Sequence, residues 1–289
     1  MITLGTIVLI LGVMVMGWMT DRPTPWQVGQ VTIYLANLLA FAALLAGFGK
    51  VVTDRWGGVA LSGRNFFSLS RLQMAGWTVV VLATVLTAAE LRLWGKVAAA
   101  NLALDINIPG EILAAMGIAV FTTAATPALL SLKTASPSPQ ATKLAIQKVT
   151  DAAPADKKNV IPADNAAQYG NAAPPTVGVS GSVLTRSDPS LAQWRDLVTG
   201  DEVATADVVD LSKLQQLLIS SLLLLSYIGM VAAWIDQGGM SASADPADKT
   251  VHTPYDTLPM LSQTFIGLMA ISHAGYLAFK AVPKVERQT

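Results

Sequence analysis

The chain has 289 residues, of which 52% are hydrophobic and only 13% are charged, and its formal net charge at pH 7 is zero. A soluble domain carries about 25% charged residues, so this composition argues against an ordinary water-facing surface and indicates one that largely faces lipid. The balanced charge gives no signal for nucleic-acid binding, and the absence of cysteine excludes disulfides, thiolate metal sites and cysteine nucleophiles.

Six apolar stretches are long enough to cross about 30 Å of hydrocarbon as helices. They are residues 2–19, 28–48, 72–91, 108–132, 214–235 and 258–279. The sequence therefore predicts an all-α membrane protein with about six transmembrane helices. The first stretch is predicted to be a retained anchor and not a cleaved signal peptide, because no Lys or Arg precedes it and no small-x-small cleavage site follows it.

Lys and Arg are concentrated in the second loop, in the long segment after the fourth stretch and in the C-terminal tail. The first, third and fifth loops hold only Arg22, then Arg92 and Lys96, then Lys249. Because cationic loops stay on the cytoplasmic side, both termini and the long segment are predicted to be cytoplasmic. An aromatic belt at the opposite interface agrees with this orientation and consists of Trp18, Trp26, Trp94 and Trp234.

Residues 134–209 form the one sizeable segment predicted to lie outside the membrane. Up to residue 185 the segment is rich in Ala, Pro, Ser, Asn and Lys and has no apolar periodicity, so a flexible, largely disordered linker is predicted. Ser187-Asp188-Pro189 is typical of a helix start, and Gly200 of a helix end. The apolar residues between them share one helical face: Leu191, Trp194, Leu197 and Val198. A short amphipathic helix near 189–199 is therefore predicted, either on the inner leaflet or packed on the cytoplasmic ends of the bundle.

The most specific feature of the sequence is an internal repeat. Ser68-Leu69-Ser70-Arg71-Leu72-Gln73 opens the third stretch, and Asp210-Leu211-Ser212-Lys213-Leu214-Gln215 opens the fifth. Each copy continues through a loop, a proline and a second stretch, and ends in Leu132-Lys133 or Phe279-Lys280. Because an even number of spans separates the copies, both hairpins have the same orientation, and the repeat is parallel, about an axis along the membrane normal.

The repeat divides the chain into four predicted parts. These are an N-terminal hairpin at 1–50, the first repeat hairpin at 51–133, the linker at 134–209 and the second repeat hairpin at 210–289.

The repeated hexapeptide has a recognisable chemistry. Its first residue supplies a capping oxygen for the helix that follows. Arg71 and Lys213 are expected at the inner headgroup level, where they meet anionic lipid. Gln73 and Gln215 lie about a turn further inside and are expected to hydrogen-bond to a neighbouring helix, a contact worth about 1 kcal/mol. The alternative is that the pattern is only a helix cap with a snorkelling cation.

The two hairpins resemble a group of uncharacterised bacterial inner-membrane proteins, which have a Ser-Leu-Ser/Ala-Arg-x-Gln helix start and a later helix containing Gly-Ile-Ser. The resemblance is carried by residues 68–73 with Met116-Gly117-Ile118 and by residues 210–215 with Ala270-Ile271-Ser272. The chain departs from the pattern where Ala119 replaces serine and Ala270 replaces glycine. The resemblance implies a multi-pass protein of the bacterial inner membrane, and it implies no reaction.

A few polar residues lie within the predicted spans. His273 is the strongest candidate for a functional residue, because placing an ionisable group within a membrane span costs free energy. It could relay protons or sense pH. The alternative is a neutral histidine that is hydrogen-bonded to a neighbouring helix. Glu90 is predicted to form an interfacial ion pair with Arg92 or Lys96. Asn37 is predicted to face another helix.

No phosphate-binding glycine loop, zinc-binding histidine pair, serine elbow or kinase signature occurs, so neither enzyme activity nor a cofactor is predicted. The leading hypothesis is a non-enzymatic scaffold or anchoring subunit of a membrane complex. Its linker would recruit a protein partner, or the protein would form a homo-oligomer. The alternative is a channel or small-solute transporter, which would need a polar stripe shared by several spans. A third hypothesis is a sensor that signals through the 189–199 helix.

Overall fold

The computed structural model describes residues 26–94, 104–134, 177–180, 182–202, 205, 208–240 and 253–282. The α-helices in this part of the chain are α1 (Trp26–Thr53), α2 (Leu69–Trp94), α3 (Gly110–Leu132), α4 (Leu211–Asp236) and α5 (Gln263–Ala281). Strands β1 (Val177–Ser180) and β2 (Val183–Arg186) form an antiparallel hairpin. Short 3₁₀ helices lie at Gly58–Ala60, Pro189–Leu191 and Trp194–Leu197.

Four of the described helices are long and apolar enough to cross a membrane. They are Gly29–Thr53 within α1, and α2, α3 and α4 over their whole lengths. These helices coincide with the predicted stretches 28–48, 72–91, 108–132 and 214–235, so the helical prediction is confirmed for them. The predicted first span, residues 2–19, lies outside the described residues.

Helix α5 corresponds to the sixth predicted stretch but begins at Gln263, five residues later than expected. Its 19 residues extend about 28 Å at 1.5 Å per residue. It is not one of the four described helices that are long and apolar enough to cross a membrane, because polar residues such as His273 and Lys280 lower its mean hydropathy.

The start of α4 shows why the second hexapeptide begins a helix. Asp210 Oδ1 accepts hydrogen bonds from the backbone N–H of Ser212 at 3.0 Å and of Lys213 at 3.3 Å, which are amides that the helix itself leaves without acceptors. The capping prediction is therefore confirmed for Asp210. In the first hexapeptide the backbone carbonyl of Ser68 accepts the N–H of Leu72, and the Ser68 hydroxyl lies 3.1 Å from that of Ser70.

The chain forms two compact units, and α2, α3, α4 and α5 each contribute residues to both. Unit one contains the described residues within Met1–Phe48, Ala75–Gly117 and Ser221–Leu268, and unit two those within Gly49–Met74, Ile118–Ser220 and Met269–Thr289. The core of unit one is aromatic: Trp77 and Tyr227 pack with ring centroids 6.0 Å apart, and both are almost fully buried, as is Tyr34. This packing supplies the close dispersion contacts that stabilise helices where the surrounding solvent is itself apolar.

Unit two contains a folded region built from two segments distant in sequence, which we call the loop module (residues 54–68 and 182–202). Its apolar core consists of Ala60, Leu61, Phe67, Leu69, Ala192 and Leu197. Backbone bonds join the two segments: the N–H of Arg186 donates to the carbonyl of Arg64 at 3.0 Å. Trp194 stacks on Phe67 with ring centroids 4.4 Å apart.

The prediction of a disordered linker is wrong for residues 177–180 and 182–185. These residues form most of the β-hairpin, and in β2 Val183 and Leu184 are buried. The hairpin is stabilised by Arg64, whose guanidinium donates to the carbonyl of Leu184 at 3.0 Å across 120 residues of sequence. Composition alone does not show such a distant partner. Residues 135–176 of the predicted linker lie outside the described residues.

The prediction of an amphipathic helix near 189–199 is also wrong, because two short 3₁₀ helices occupy the segment with extended backbone at Ala192 and Gln193. Asp188 does cap the first turn by accepting the N–H of Ser190 at 2.6 Å. The turn does not continue, because Arg55 Nη1 binds three backbone carbonyls, those of Pro189, Ser190 and Ala192, each at 2.8 Å. An α-helix would need such carbonyls as acceptors for its own amides.

The sequence predicted that Gly200 ends a helix, and this prediction is wrong. Its N–H donates to the carbonyl of Thr205 at 3.1 Å, and a Cβ at position 200 would lie 2.0 Å from Thr205 Oγ1. Glycine is therefore required here by the close approach of Thr205.

Candidate functional site

A cluster of buried charges in unit two, the Asp201 cluster, comprises Asp201, Arg64, Lys213 and Lys280. Asp201 Oδ2 lies 2.6 Å from Lys280 Nζ and 3.1 Å from Lys213 Nζ, and Oδ1 lies 2.8 Å from Arg64 Nη2. The Asp201 side chain is only 11% exposed, and those of Lys213 and Lys280 are less exposed still. Buried charges of this kind are stable only when paired and hydrogen-bonded.

The neighbouring residue, Glu202, forms a second buried ion pair. Its Oε1 lies 2.6 Å from Nζ of Lys133, which also donates to the carbonyl of Val282 at 2.9 Å. Consecutive carboxylates of the loop module thus bind the lysine just after α3 and the lysine at the end of α5. Together these pairs hold the segment around residue 201 against the ends of two helices.

The electrostatics of Asp201 follow from its surroundings. Burial by itself would raise the pKa of the carboxyl, but the cations of Lys280, Lys213 and Arg64 hold that pKa well below its usual range. Asp201 is therefore ionised at neutral pH.

Beside the Asp201 cluster lies a cavity of about 260 Å³. Cationic side chains in its lining are Arg64, Arg71, Lys213 and Lys280. Hydroxyl groups come from residues such as Thr123, Thr126 and Tyr276, and apolar walls from residues such as Phe67, Leu130 and Val183. The cavity therefore combines a cationic region with an apolar wall.

A second polar constellation, the His273 network, joins four helices within unit two. It comprises Gln73 of α2, Thr122 of α3, Gln216 and Ser220 of α4 and His273 of α5. His273 Nδ1 lies 2.8 Å from Thr122 Oγ1 and 3.4 Å from Gln216 Nε2, and His273 Nε2 lies 3.4 Å from Ser220 Oγ. Gln216 Nε2 also donates to Gln73 Oε1 at 2.8 Å. All five side chains are buried, so the network pairs buried polar groups of four helices with one another.

The structure distinguishes between the two glutamines predicted to bond across helices. Gln73 does so, donating to the backbone carbonyl of Gln216 at 3.3 Å, which confirms its predicted role. The prediction for Gln215 is wrong, because its side chain is exposed and Gln216 occupies the inward position. One residue along a helix turns the side chain by about 100°, which is enough to exchange the two faces.

The two basic residues of the hexapeptides bind protein groups. Lys213 is 3% exposed and, besides Asp201, donates to the carbonyl of Thr199 at 2.6 Å, so the prediction that it meets anionic lipid is wrong. Arg71 Nη1 donates to the carbonyl of Leu61 at 2.7 Å and lines the cavity. Lys213 can be buried because the loop module supplies hydrogen-bond acceptors for its ammonium group. These acceptors lie outside α4 in the sequence.

In unit one, Glu90 is buried and bonded to another helix. Asn37 Nδ2 donates to Glu90 Oε2 at 2.7 Å and to Thr87 Oγ1 at 3.0 Å, so the prediction that Asn37 faces another helix is confirmed. Glu90 is 2% exposed, and its predicted ion pair with Arg92 or Lys96 stays a prediction. Arg92 is also buried, and Lys96 lies outside the described residues.

Sequence reasoning missed the acidic half of the site. Asp196, Asp201 and Glu202 belong to a segment that was interpreted as linker and amphipathic helix. Asp196 binds Arg186 in a bidentate pair at 2.6 and 3.0 Å. Within the described residues no group of three His, Asp or Glu side chains is arranged to hold a metal ion. The only sequence signal for these acidic residues was the lysine at the end of each repeat copy, because the sequence shows no counter-ion for it.

We expect Asp201→Asn to lower the free energy of unfolding by about 3–5 kcal/mol at pH 7, because it leaves three cations without their shared carboxylate. Since the pKa of Asp201 is depressed in the folded state, its contribution is complete above the unfolded value of about 3.9 and is lost as the pH falls through the folded value. Unfolding of the protein in detergent micelles, followed between pH 7 and pH 3, measures both effects. Asp54→Asn is the matched control, because that carboxylate is 93% exposed and should contribute little. Equal losses for the two variants would contradict the assignment.

We expect Gln216→Ala to lower the free energy of unfolding by about 0.5–2 kcal/mol, because it removes the donor to Gln73 Oε1 and one of the contacts of His273 Nδ1. Gln215→Ala, one residue away on the exposed face, should change it by less than about 0.5 kcal/mol. Chemical unfolding in micelles compares the two. A larger loss for Gln215→Ala would show that the register of α4 is wrong.

Comparison with known proteins adds no relative. No protein-family model matches the chain, and no curated protein or solved structure matches it either. The resemblance seen in residues 68–73 and 210–215 to bacterial inner-membrane proteins therefore stays a prediction.

Proposed function

We propose that the chain is a non-enzymatic, multi-pass protein of a bacterial inner membrane, which serves as a scaffold or anchoring subunit of a membrane complex. The observation that carries this proposal is the attachment of the loop module to the helix ends through Asp201 and Glu202. Such attachment gives the module a fixed position, which a surface that presents itself to a partner requires. In this proposal the chain crosses the membrane six times, with both termini and the loop module in the cytoplasm.

The parallel repeat is part of the proposal, and two observations within unit two support it. The residues that end the two copies, Lys133 and Lys280, bind the adjacent carboxylates Glu202 and Asp201 at the same distance of 2.6 Å. The first turns of α2 and α4 also meet, through Gln73 and Gln216. Both contacts are those expected of hairpins that share one orientation.

The exposed surface of the loop module provides a place for a partner. Trp194 is 59% exposed although it stacks on Phe67, and Trp56 is 58% exposed. Partly exposed tryptophans on an ordered support are enriched at protein interfaces. Residues 135–176, which are the part of the predicted linker outside the described residues, lead along the chain toward this module.

A second function, channel or transporter, is favoured by one specific observation. The sequence hypothesis required a polar stripe shared by several spans, and the His273 network contains side chains of four helices. Its members are hydrogen-bonded to each other, which is also what a purely structural network in lipid requires. The scaffold proposal is preferred because the ion pairs hold the folded loop module in a fixed position.

We expect a stoichiometric protein partner to co-purify with the wild-type protein from gently solubilised native membranes, and to be lost when residues 136–175 are replaced by a Gly/Ser segment of equal length. The replacement keeps the reach of the segment and removes its sequence. Affinity capture with mass spectrometry measures the partner. The variant must still be extracted as an ordered membrane protein with the wild-type unfolding midpoint. Retention of the same partner would show that the segment is only a spacer.

We expect no ion or proton flux above that of empty vesicles when the purified protein is reconstituted into liposomes. This result separates the scaffold from the transporter, because only the transporter needs His273 to exchange protons or solute. Flux that disappears in His273→Ala and persists in Gln215→Ala would replace the scaffold proposal by the second function.

A further inference from the structure

The cavity beside the Asp201 cluster has more positive than negative charge in its lining. It is lined by four cations, Arg64, Arg71, Lys213 and Lys280, and by a single carboxylate, Asp201. The excess is three positive charges, from four cations less one anion. Lys213 and Lys280 are 3% and 8% exposed, so water does not solvate them freely. Unbalanced charge at this degree of burial is expensive unless an anion accompanies it.

The other acids near this region have separate roles. Asp196 is bound to Arg186, and Glu202 to Lys133. Asp210 accepts the first amides of α4 as a helix cap. Within the described part of the chain, no further carboxylate lines the cavity. The excess of positive charge in the lining therefore remains after these three neighbouring acids have been assigned.

Arg71 is the cation best suited to meet a ligand. The other three lie within 3.1 Å of Asp201, whereas Arg71 forms no ion pair among the described residues and makes one hydrogen bond, to the carbonyl of Leu61. A guanidinium has five N–H donors in a planar fork that matches the oxygens of phosphate and carboxylate groups. Most of the donor capacity of Arg71 is therefore not used by the described residues.

The size and walls of the cavity define the class of ligand. A volume of about 260 Å³ is below the range of about 300–1,000 Å³ for drug-sized ligands, so a small anionic group fits and a whole nucleotide does not. Inorganic phosphate and phosphate monoesters carry up to about two negative charges and a phosphodiester headgroup carries one, and each presents several acceptor oxygens to the cationic lining. Apolar residues such as Phe67, Leu130 and Val183 line the cavity as well, and they suit the carbon atoms attached to such a group.

We propose that this cavity binds a phosphate-bearing anion, whose oxygens are held by Arg71 and by the ammonium group of Lys280, while Lys213, whose three N–H donors bind Asp201, Thr199 and Asp196, contributes only its charge. The anion is either the headgroup of an anionic phospholipid or a free phosphate compound. This proposal is independent of the scaffold function, because it concerns the occupant of the cavity and not the partner of the loop module.

The test compares two arginines that differ in position and not in charge. Arg71→Gln removes the cation that lines the cavity, and Arg195→Gln removes an exposed cation of the loop module outside it. Each variant is purified in detergent, and two probes are applied. The first is inorganic phosphate, followed as a shift in the unfolding midpoint of delipidated protein against chloride at equal ionic strength. The second is reconstitution into vesicles of phosphatidylcholine with phosphatidylglycerol, followed by mass spectrometry of the phospholipid retained after re-extraction.

For the lipid source we expect the wild type and Arg195→Gln to retain phosphatidylglycerol, and Arg71→Gln to retain about tenfold less, since it loses a charge-assisted contact. For the free-anion source we expect phosphate to raise the unfolding midpoint of the wild type and Arg195→Gln, with an apparent affinity about tenfold weaker in Arg71→Gln. Either result supports the proposal and identifies the source. Equal behaviour of Arg71→Gln and Arg195→Gln with both probes would overturn it.

A second variant keeps the test informative if Arg71→Gln proves unstable. Asp201→Asn removes the one negative charge in the lining, so binding of the supporting probe should become tighter and the loss of stability should be partly reversed by that probe. A loss of stability that neither probe reverses would overturn the proposal.

Discussion

The arrangement of unit two depends on a single buried carboxylate. Asp201 binds cations from three separate parts of the sequence: Arg64 in the loop after α1, Lys213 in the first turn of α4 and Lys280 in the last turn of α5. None of these charges is stable in a buried position alone, because desolvation costs several kcal/mol per ion. The cluster is therefore stable only when loop and helix ends are all in place, which couples the fold of the loop module to the packing of the helices.

The His273 network solves the corresponding problem for neutral polar groups. Lipid offers no hydrogen-bond partners, so each amide, hydroxyl and imidazole within a helix bundle must find one in another part of the protein. Gln73, Thr122, Gln216, Ser220 and His273 do this for one another. The same arrangement fixes the register of the helices that carry them, since a one-residue shift would leave several groups unpaired. A structural role of this kind accounts for a buried histidine in the network.

Local pattern predicted several features of the site correctly and others incorrectly, for identifiable reasons. The cap at Asp210 and the cross-helix bond of Gln73 depend on positions within one helix turn, and both were confirmed. The amphipathic helix predicted near 189–199 does not form, because Arg55, which lies more than 130 residues earlier, binds backbone carbonyls of that segment. Lys213 was assigned to lipid because a cation at a helix start normally snorkels, and its acceptors in the loop module could not be identified from spacing.

The amino-acid sequence alone predicted a mostly helical chain. It also located four helices that are long and apolar enough to cross a membrane, because helix length and hydropathy are summed over neighbouring residues. Which polar groups meet became known only from the folded structure. Asp201 with Lys280, and Gln216 with His273, are separated by dozens of residues, and their pairing depends on the rotation of each helix and on the path of the loops. Distances between such groups are properties of packing, and no local pattern encodes them.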